Sequence, residues 1–190
     1  MPGTVDRYQL LDTIGAGTLG VLHRARDLQK GRTVALRLVS GTLVEDAAAR
    51  AELLAEARRV AELSHPVVAS LYECGEADDG VFIASEFVPG QPLAAMVAGA
   101  PLHPVRALDL AVQLADGLAA AEQLSLEHGA LSTSSVIVTP KGVPKLLDIG
   151  LRRWTRAASQ APEPDAAGLA AVLFEMLAGR ALRRGWPAEF

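Results

Sequence analysis

The chain has 190 residues, half of them hydrophobic, with a net charge of −4. That is enough apolar material for a core in one or two lobes, and it argues against disorder. The acid excess disfavours general nucleic-acid binding, which needs a basic face, and the single cysteine, Cys74, excludes an internal disulfide and any cysteine-based metal site. The N-terminal MPGTVDRYQL has no basic stretch leading into an apolar run, so it is not read as a secretory signal. The apolar run AAGLAAVLFEMLAG is interrupted by Glu175 and falls short of the ~20 residues that a membrane span requires. The expectation is a cytoplasmic protein with neither membrane nor nucleic acid as a partner. The arginine groups Arg152, Arg153, Arg156 and Arg180, Arg183, Arg184 read as solvated faces.

Three strands are expected first: RYQLLDTIG, VLHRARD and TVALRLV, with a turn at Gln29-Lys30-Gly31-Arg32. From Val44 to Leu63 apolar residues recur at helical spacing, through Leu53, Leu54, Ala57, Val60, Ala61 and Leu63. His65-Pro66 ends that helix, because the residue before proline leaves the helical region. Two more strands, VASLYECGE and GVFIASEFV, meet through Asp78-Asp79-Gly80, a hairpin signal. After Pro89-Gly90 the pattern turns helical. Pro104 suits the first turn of a helix to about Leu126, whose apolar stripe is read as Leu108, Ala111, Val112, Ala115, Leu118 and Ala119. Two short strands, SVIV and PKLLD, flank Pro140-Lys141-Gly142, and a last apolar helix runs from Asp165 to about Ala178 with Gly179 as its C-cap.

Between the first two strands lies GAGTLG, with Gly15, Gly17 and Gly20. Alone it is a flexible hairpin. A dinucleotide-binding glycine loop opens a helix, whereas this one joins two strands, the geometry of a lid over nucleotide phosphates. In this setting the chain resembles the protein kinase family, and within it bacterial Ser/Thr kinases, from about Arg7 to Gly179. Val34-Ala35-Leu36-Arg37 is similar to the strand that normally carries Val-Ala-Ile-Lys. Glu56 matches the helix glutamate that pairs with that lysine. ASEFVPGQPL resembles the gatekeeper and hinge, with Ser85 as gatekeeper and Glu86 to Val88 as hinge. LEHGALSTSSVIV resembles the catalytic loop, and Asp148-Ile149-Gly150 the metal-binding Asp-Phe-Gly. The resemblance implies an α+β, two-lobed fold. Its small lobe, residues 7–88, would hold a five-stranded antiparallel sheet and one helix. Its large lobe, residues 89–190, would be mainly helical and truncated after the central helix.

The departures fall on the chemistry. The family's catalytic loop reads His-Arg-Asp-Leu, three residues, then Asn. Here Ala130 stands at the catalytic aspartate, Ser132 at the phosphate-contacting lysine, Ser135 at the metal-holding asparagine and Gly129 at the arginine. Arg37 replaces the lysine, keeps its charge and can pair with Glu56, but it is bulkier and occupies room meant for phosphates. By resemblance, Ile14 and Leu22 would roof an adenine slot, Ala35 would be its side and Ile137 its floor. Backbone groups of Glu86 and Val88 would read the base edge.

The leading expectation is therefore a catalytically inactive module that regulates or scaffolds by binding protein. It has no catalytic residue and needs no cofactor. ATP and magnesium are possible but weak, with Asp148 as the one metal carboxylate. The alternatives are a switch that binds ATP without turnover, and a feeble or atypical ATP-dependent transferase. A homodimer or a partner is expected to dock on the last helix at Leu169, Leu173, Phe174 and Leu177, unless residues 181–190, with Trp186 and Phe190, fold back over it.

Overall fold

The computed structural model describes residues 3–17, 19–77, 80–151, 154 and 163–181. The expected Asp78-Asp79 turn, five of the six arginines named above and the tail with Trp186 and Phe190 lie outside the described residues. Nine strands and four α-helices are described: β1 Thr4–Val5, β2 Tyr8–Gly17, β3 Gly20–Asp27, β4 Arg32–Val39, α1 Ala47–Ala61, β5 Leu71–Ala77, β6 Gly80–Glu86, β7 Gln91–Pro92, α2 Leu93–Met96, α3 Pro104–Gln123, β8 Val136–Val138, β9 Pro144–Leu146 and α4 Asp165–Ala178.

The small lobe is an antiparallel sheet in the order β1-β2-β3-β4-β6-β5. Five of its strands are those expected. The sixth, β1, is two residues paired to Gln9 and Tyr8 of β2, too short to leave a periodic signal. The turn between β3 and β4 is organised by Asp27, which is fully buried and accepts from the backbone N–H groups of Gln29 and Lys30 at 3.0 Å. Burial alone would raise its pKa. Those N–H groups and the Arg7 guanidinium outweigh it and hold the carboxyl below its ordinary value.

Alternation along β4 decides which side chains reach the cleft. Val34 and Leu36 pack with Tyr8, Ala25, Phe82 and Ala84 into a small cluster on one face of the sheet. Ala35 and Arg37 alternate with them and line the opposite side, above the second lobe. There α1 lies against β5. This helix starts three residues later than its periodicity suggested, because Asp46 caps it by accepting from Ala49 N–H at 2.6 Å.

One continuous core joins the lobes. It runs from Leu53, Ala57 and Val60 of α1 through Leu71 and Ile83 to Leu110 and Leu114 of α3 and Val172 and Met176 of α4. The buried stripe of α3 is Ala107, Leu110, Ala111, Leu114, Gly117, Leu118 and Ala121. This corrects the expected stripe: Leu108 is 52% exposed and Val112 69%. The helix carries apolar side chains on several faces, so spacing alone does not choose between them. Packing against β9 and α4 does. Each fully buried leucine here contributes about 2 kcal/mol.

Helix α4 ends as expected, at Gly179 in the left-handed conformation (φ 64°), whose N–H donates to Glu175 O. Its expected docking face is partly covered among the described residues. Leu169 and Leu173 pack on the main core, and Phe174 is half-buried beneath the Arg180 guanidinium, 5.6 Å from its ring centre. Only Leu177 of the four is exposed, at 42%. Among the described residues no helix is long and apolar enough to cross a membrane.

Candidate functional site

The cleft between the lobes holds a cavity of about 140 Å³. Its outer end is apolar. Ile14 and Leu22, from the hairpin of β2 and β3, face Ile137 of β8, with Ala35 at the side and the Ser85–Val88 segment along one edge. Its inner end holds Arg37 and Asp148. Of the residues singled out in the sequence, the fold thus brings together Leu22, Ala35, Arg37, Glu86, Val88, Ile137 and Asp148. It leaves Gly15, Gly17, Gly20 and Glu56 outside the cavity wall.

The three glycines stand in the β2–β3 hairpin, where Gly15 pairs with Leu22 and Gly17 with Gly20. Their reasons differ. Gly20 has φ +127°, and a Cβ there would lie 1.9 Å from the Leu38 carbonyl oxygen. A Cβ on Gly17 would meet nothing within 4 Å.

The inner end is wired differently from expectation. Arg37 makes no ion pair with Glu56. Its Nη2 donates to both carboxylate oxygens of Asp148, at 2.9 and 3.0 Å. Glu56 instead accepts from Arg59 at 3.0 Å, one turn along α1. Arg59 also donates to the carbonyls of Leu124 and Ser125, tying α1 to the end of α3. A side chain three residues away on the same helix is a nearer partner than one across the cleft.

Asp148 has φ +57°, a left-handed conformation that aspartate tolerates better than most residues. Two residues on, Gly150 has φ +75°, and a Cβ there would lie 2.5 Å from Val60 Cγ2. Glycine is what lets α1 sit directly on this loop.

The segment 128–135 is held firmly. Asp165, the first residue of α4, accepts from His128 N–H at 2.9 Å and Gly129 N–H at 2.7 Å. His128 is 4% exposed, and its burial pushes the imidazole pKa below 6.5 despite the nearby carboxylates of Asp165 and Asp148. The hydroxyls that follow are used within the loop. Ser135 Oγ donates to Ser132 O at 2.8 Å and accepts from Ser132 N–H at 3.0 Å. Ser132 Oγ and Ser134 Oγ are 2.8 Å apart, and Thr133 Oγ1 donates to Glu175 at 2.8 Å. Ala130 stands between the held backbone and these serines with no polar atom on its side chain.

One contact at the edge of the cleft escaped the sequence reading. Lys145 of β9 donates to Glu86 Oε2 at 2.8 Å, and the same oxygen accepts from Ser70 N–H at 3.2 Å. The hinge residue is thereby fixed by its side chain as well as by its backbone. The pair is 59 residues apart in sequence, and only the opposite signs of two unremarkable residues hinted at it.

Comparison with known proteins places this architecture. Serine/threonine-protein kinase PrkC of Bacillus subtilis is 29% identical over 198 residues, covering 92% of this chain and 31% of the relative. Serine/threonine-protein kinase pkn2 of Myxococcus xanthus is 31% identical over 164 residues, covering 85% of this chain and 19% of the relative. The chain therefore spans less than a third of the length of these relatives. The crystal structure of the Mycobacterium tuberculosis PknI kinase domain matches with a TM-score of 0.82 at 21% identity, over 100% of this chain and 80% of that one. The model of the protein kinase domain matches residues 8–180, nearly the whole of the sequence, and the chain belongs to that family.

Proposed function

We propose that this chain is a kinase-like module without phosphoryl-transfer activity, which acts by binding protein in regulation or scaffolding. The observation that carries the reading is the catalytic loop. Its backbone is anchored through Asp165, but it offers Ala130 where a base is needed, and Ser135 spends its hydroxyl on the backbone of Ser132. Loss of a positioned general base costs about 10²–10⁴ in rate, or about 3–5 kcal/mol of barrier.

Kinase domains work with ATP and magnesium, and the two ends of this cleft fit those groups unequally. The outer end suits a purine. The inner end does not suit a metal: both oxygens of Asp148 are on Arg37, and no three His, Cys, Asp or Glu side chains cluster as ligands among the described residues. Magnesium needs near-octahedral oxygen ligation, and one engaged carboxylate is a poor start.

The test is incubation of the purified chain with radiolabelled ATP. The expected result is no incorporation into itself or into generic protein substrates. Incorporation that disappears in Asp148→Ala overturns the proposal in favour of a feeble transferase. A second reading, an ATP-gated switch without turnover, is favoured by the retained apolar cavity. It predicts a melting temperature that rises with ATP and magnesium together. Light scattering over a dilution series distinguishes a second copy of the chain from a different protein as the partner.

A further inference from the structure

Helix α3 is apolar on two sides. One is the buried stripe through Leu110 and Leu114, which packs on β9 and α4. The other runs along its outer face. Val105, Leu108 and Val112 are 70%, 52% and 69% exposed, and Ala115 and Ala119 continue the line as exposed residues. Steps of three, four, three and four residues set these five side chains on one seam about 21 Å long. A solvated helix face normally carries charge. An apolar one of this length is the mark of an interface.

The seam opens sideways into a groove. Between α3 and the start of α4 lies a cavity of about 400 Å³ lined by Leu118, Leu126 and Leu169, with Ala115 and Ala119 on its α3 wall. The two small side chains leave room there for a bulky apolar group from outside. Glu122 and Glu127 line the same groove, and neither carboxylate has a hydrogen bond or ion pair among the described residues. Asp109 and Asp116, one position past Leu108 and Ala115, edge the other side of the seam. Arg106 is the one cation of α3, and its guanidinium is engaged by Asp109 at 2.7 Å and by the Gly142 carbonyl. The surroundings of the seam are thus one-sided in charge. A second copy of the chain, packed antiparallel on it, would set Asp109 and Asp116 against the same aspartates of its twin, and like charges repel.

We infer that the outer face of α3, with the groove beside α4, docks one amphipathic helix of a partner protein, apolar at the same spacing and carrying Lys or Arg on the edge that meets Glu122 and Glu127. The inference deepens the protein-binding role proposed above and rests on it. A bulky apolar side chain of the partner enters the groove beside Ala119, and its cations meet the two unpaired carboxylates at the rim.

The test is calorimetry on the full chain with two designed helical peptides of about 18 residues. One carries Leu at the seam spacing flanked by Lys; the other has Glu for every Lys. The Leu/Lys peptide is expected to bind about tenfold or more tightly than the Leu/Glu peptide, and to weaken as salt is added. Leu108→Gln combined with Val112→Gln, both at exposed positions, should weaken it about tenfold with the melting temperature unchanged. Glu122→Lys combined with Glu127→Lys should reverse the preference between the two peptides. Absence of heat with the Leu/Lys peptide at millimolar concentration overturns the inference. So does binding that neither pair of substitutions alters, which is attraction to the acidic chain as a whole. A dimer in light scattering that Leu108→Gln with Val112→Gln dissociates also overturns it, because the seam then belongs to a second copy. The phosphotransfer assay does not read this face, so the docking inference and the non-catalytic reading fail separately.

Discussion

The outer and inner ends of the cleft are built from the same strands and have fared differently. The outer end is walled by Ile14, Leu22, Ala35 and Ile137. These residues belong to the strands that make the sheet and the β8 floor, so the fold that stands also shapes the slot. The inner end is closed by one ion pair, Arg37 with Asp148. The loop behind it carries Ala130, Ser132 and Ser135, and its backbone is anchored by Asp165. The lesson is that the scaffold and the chemistry of one loop rest on different atoms. Backbone N–H groups on Asp165, buried apolar side chains and the Ser132–Ser135 bonds hold the loop, and none of these contacts needs an acid or a base at position 130.

That division can be broken or sharpened by urea denaturation of four variants or conditions. Asp165→Ala should have the largest effect, a loss of about 2–5 kcal/mol, because it orphans the buried N–H groups of His128 and Gly129. Gly150→Ala should cost about 2 kcal/mol, from the unfavourable φ and the clash with Val60. Acidification comes next. The His128 pKa is lowered in the fold, so its stability contribution is complete above the ordinary histidine value of 6.5. It is lost as pH falls from there toward the depressed folded value, at no more than about 1.4 kcal/mol per pH unit. The His128→Gln variant should lack this step. Asp148→Asn should have the smallest effect, under about 1 kcal/mol, since the Asp148 side chain is 44% exposed and its ion pair is screened. If Asp148→Asn destabilises more than Asp165→Ala, the division between scaffold and chemistry is wrong.

Most of the fold was legible because its signals are local. The strands of the small lobe, the cap of α4 at Gly179 and the start of α3 at Pro104 are written in alternation, glycine and proline. The errors arose where two local solutions compete. Helix α3 offers one apolar stripe through Leu108 and Val112 and another through Leu110 and Leu114, and packing against β9 and α4 selects the second. Glu56 has Arg59 on its own helix and Arg37 across the cleft, and in this structure it takes the nearer. That Ala130, Ser132 and Ser135 stand where the family's catalytic loop reads Asp, Lys and Asn was visible in the sequence. The way Ser135 caps its own loop, and the Glu86–Lys145 pair, needed three dimensions.

The hinge contacts have a mechanical consequence. Beside Phe87–Gly90, backbone bonds from Ala69 N–H to Leu146 O and from Leu146 N–H to Val67 O cross from one lobe to the other. The Lys145–Glu86 pair lies next to them. Bending the lobes apart must therefore stretch a bridged backbone as well as turn a flexible link. The hinge edge of the cleft is thus braced by backbone and side-chain bonds together, and opening at that edge has to strain both.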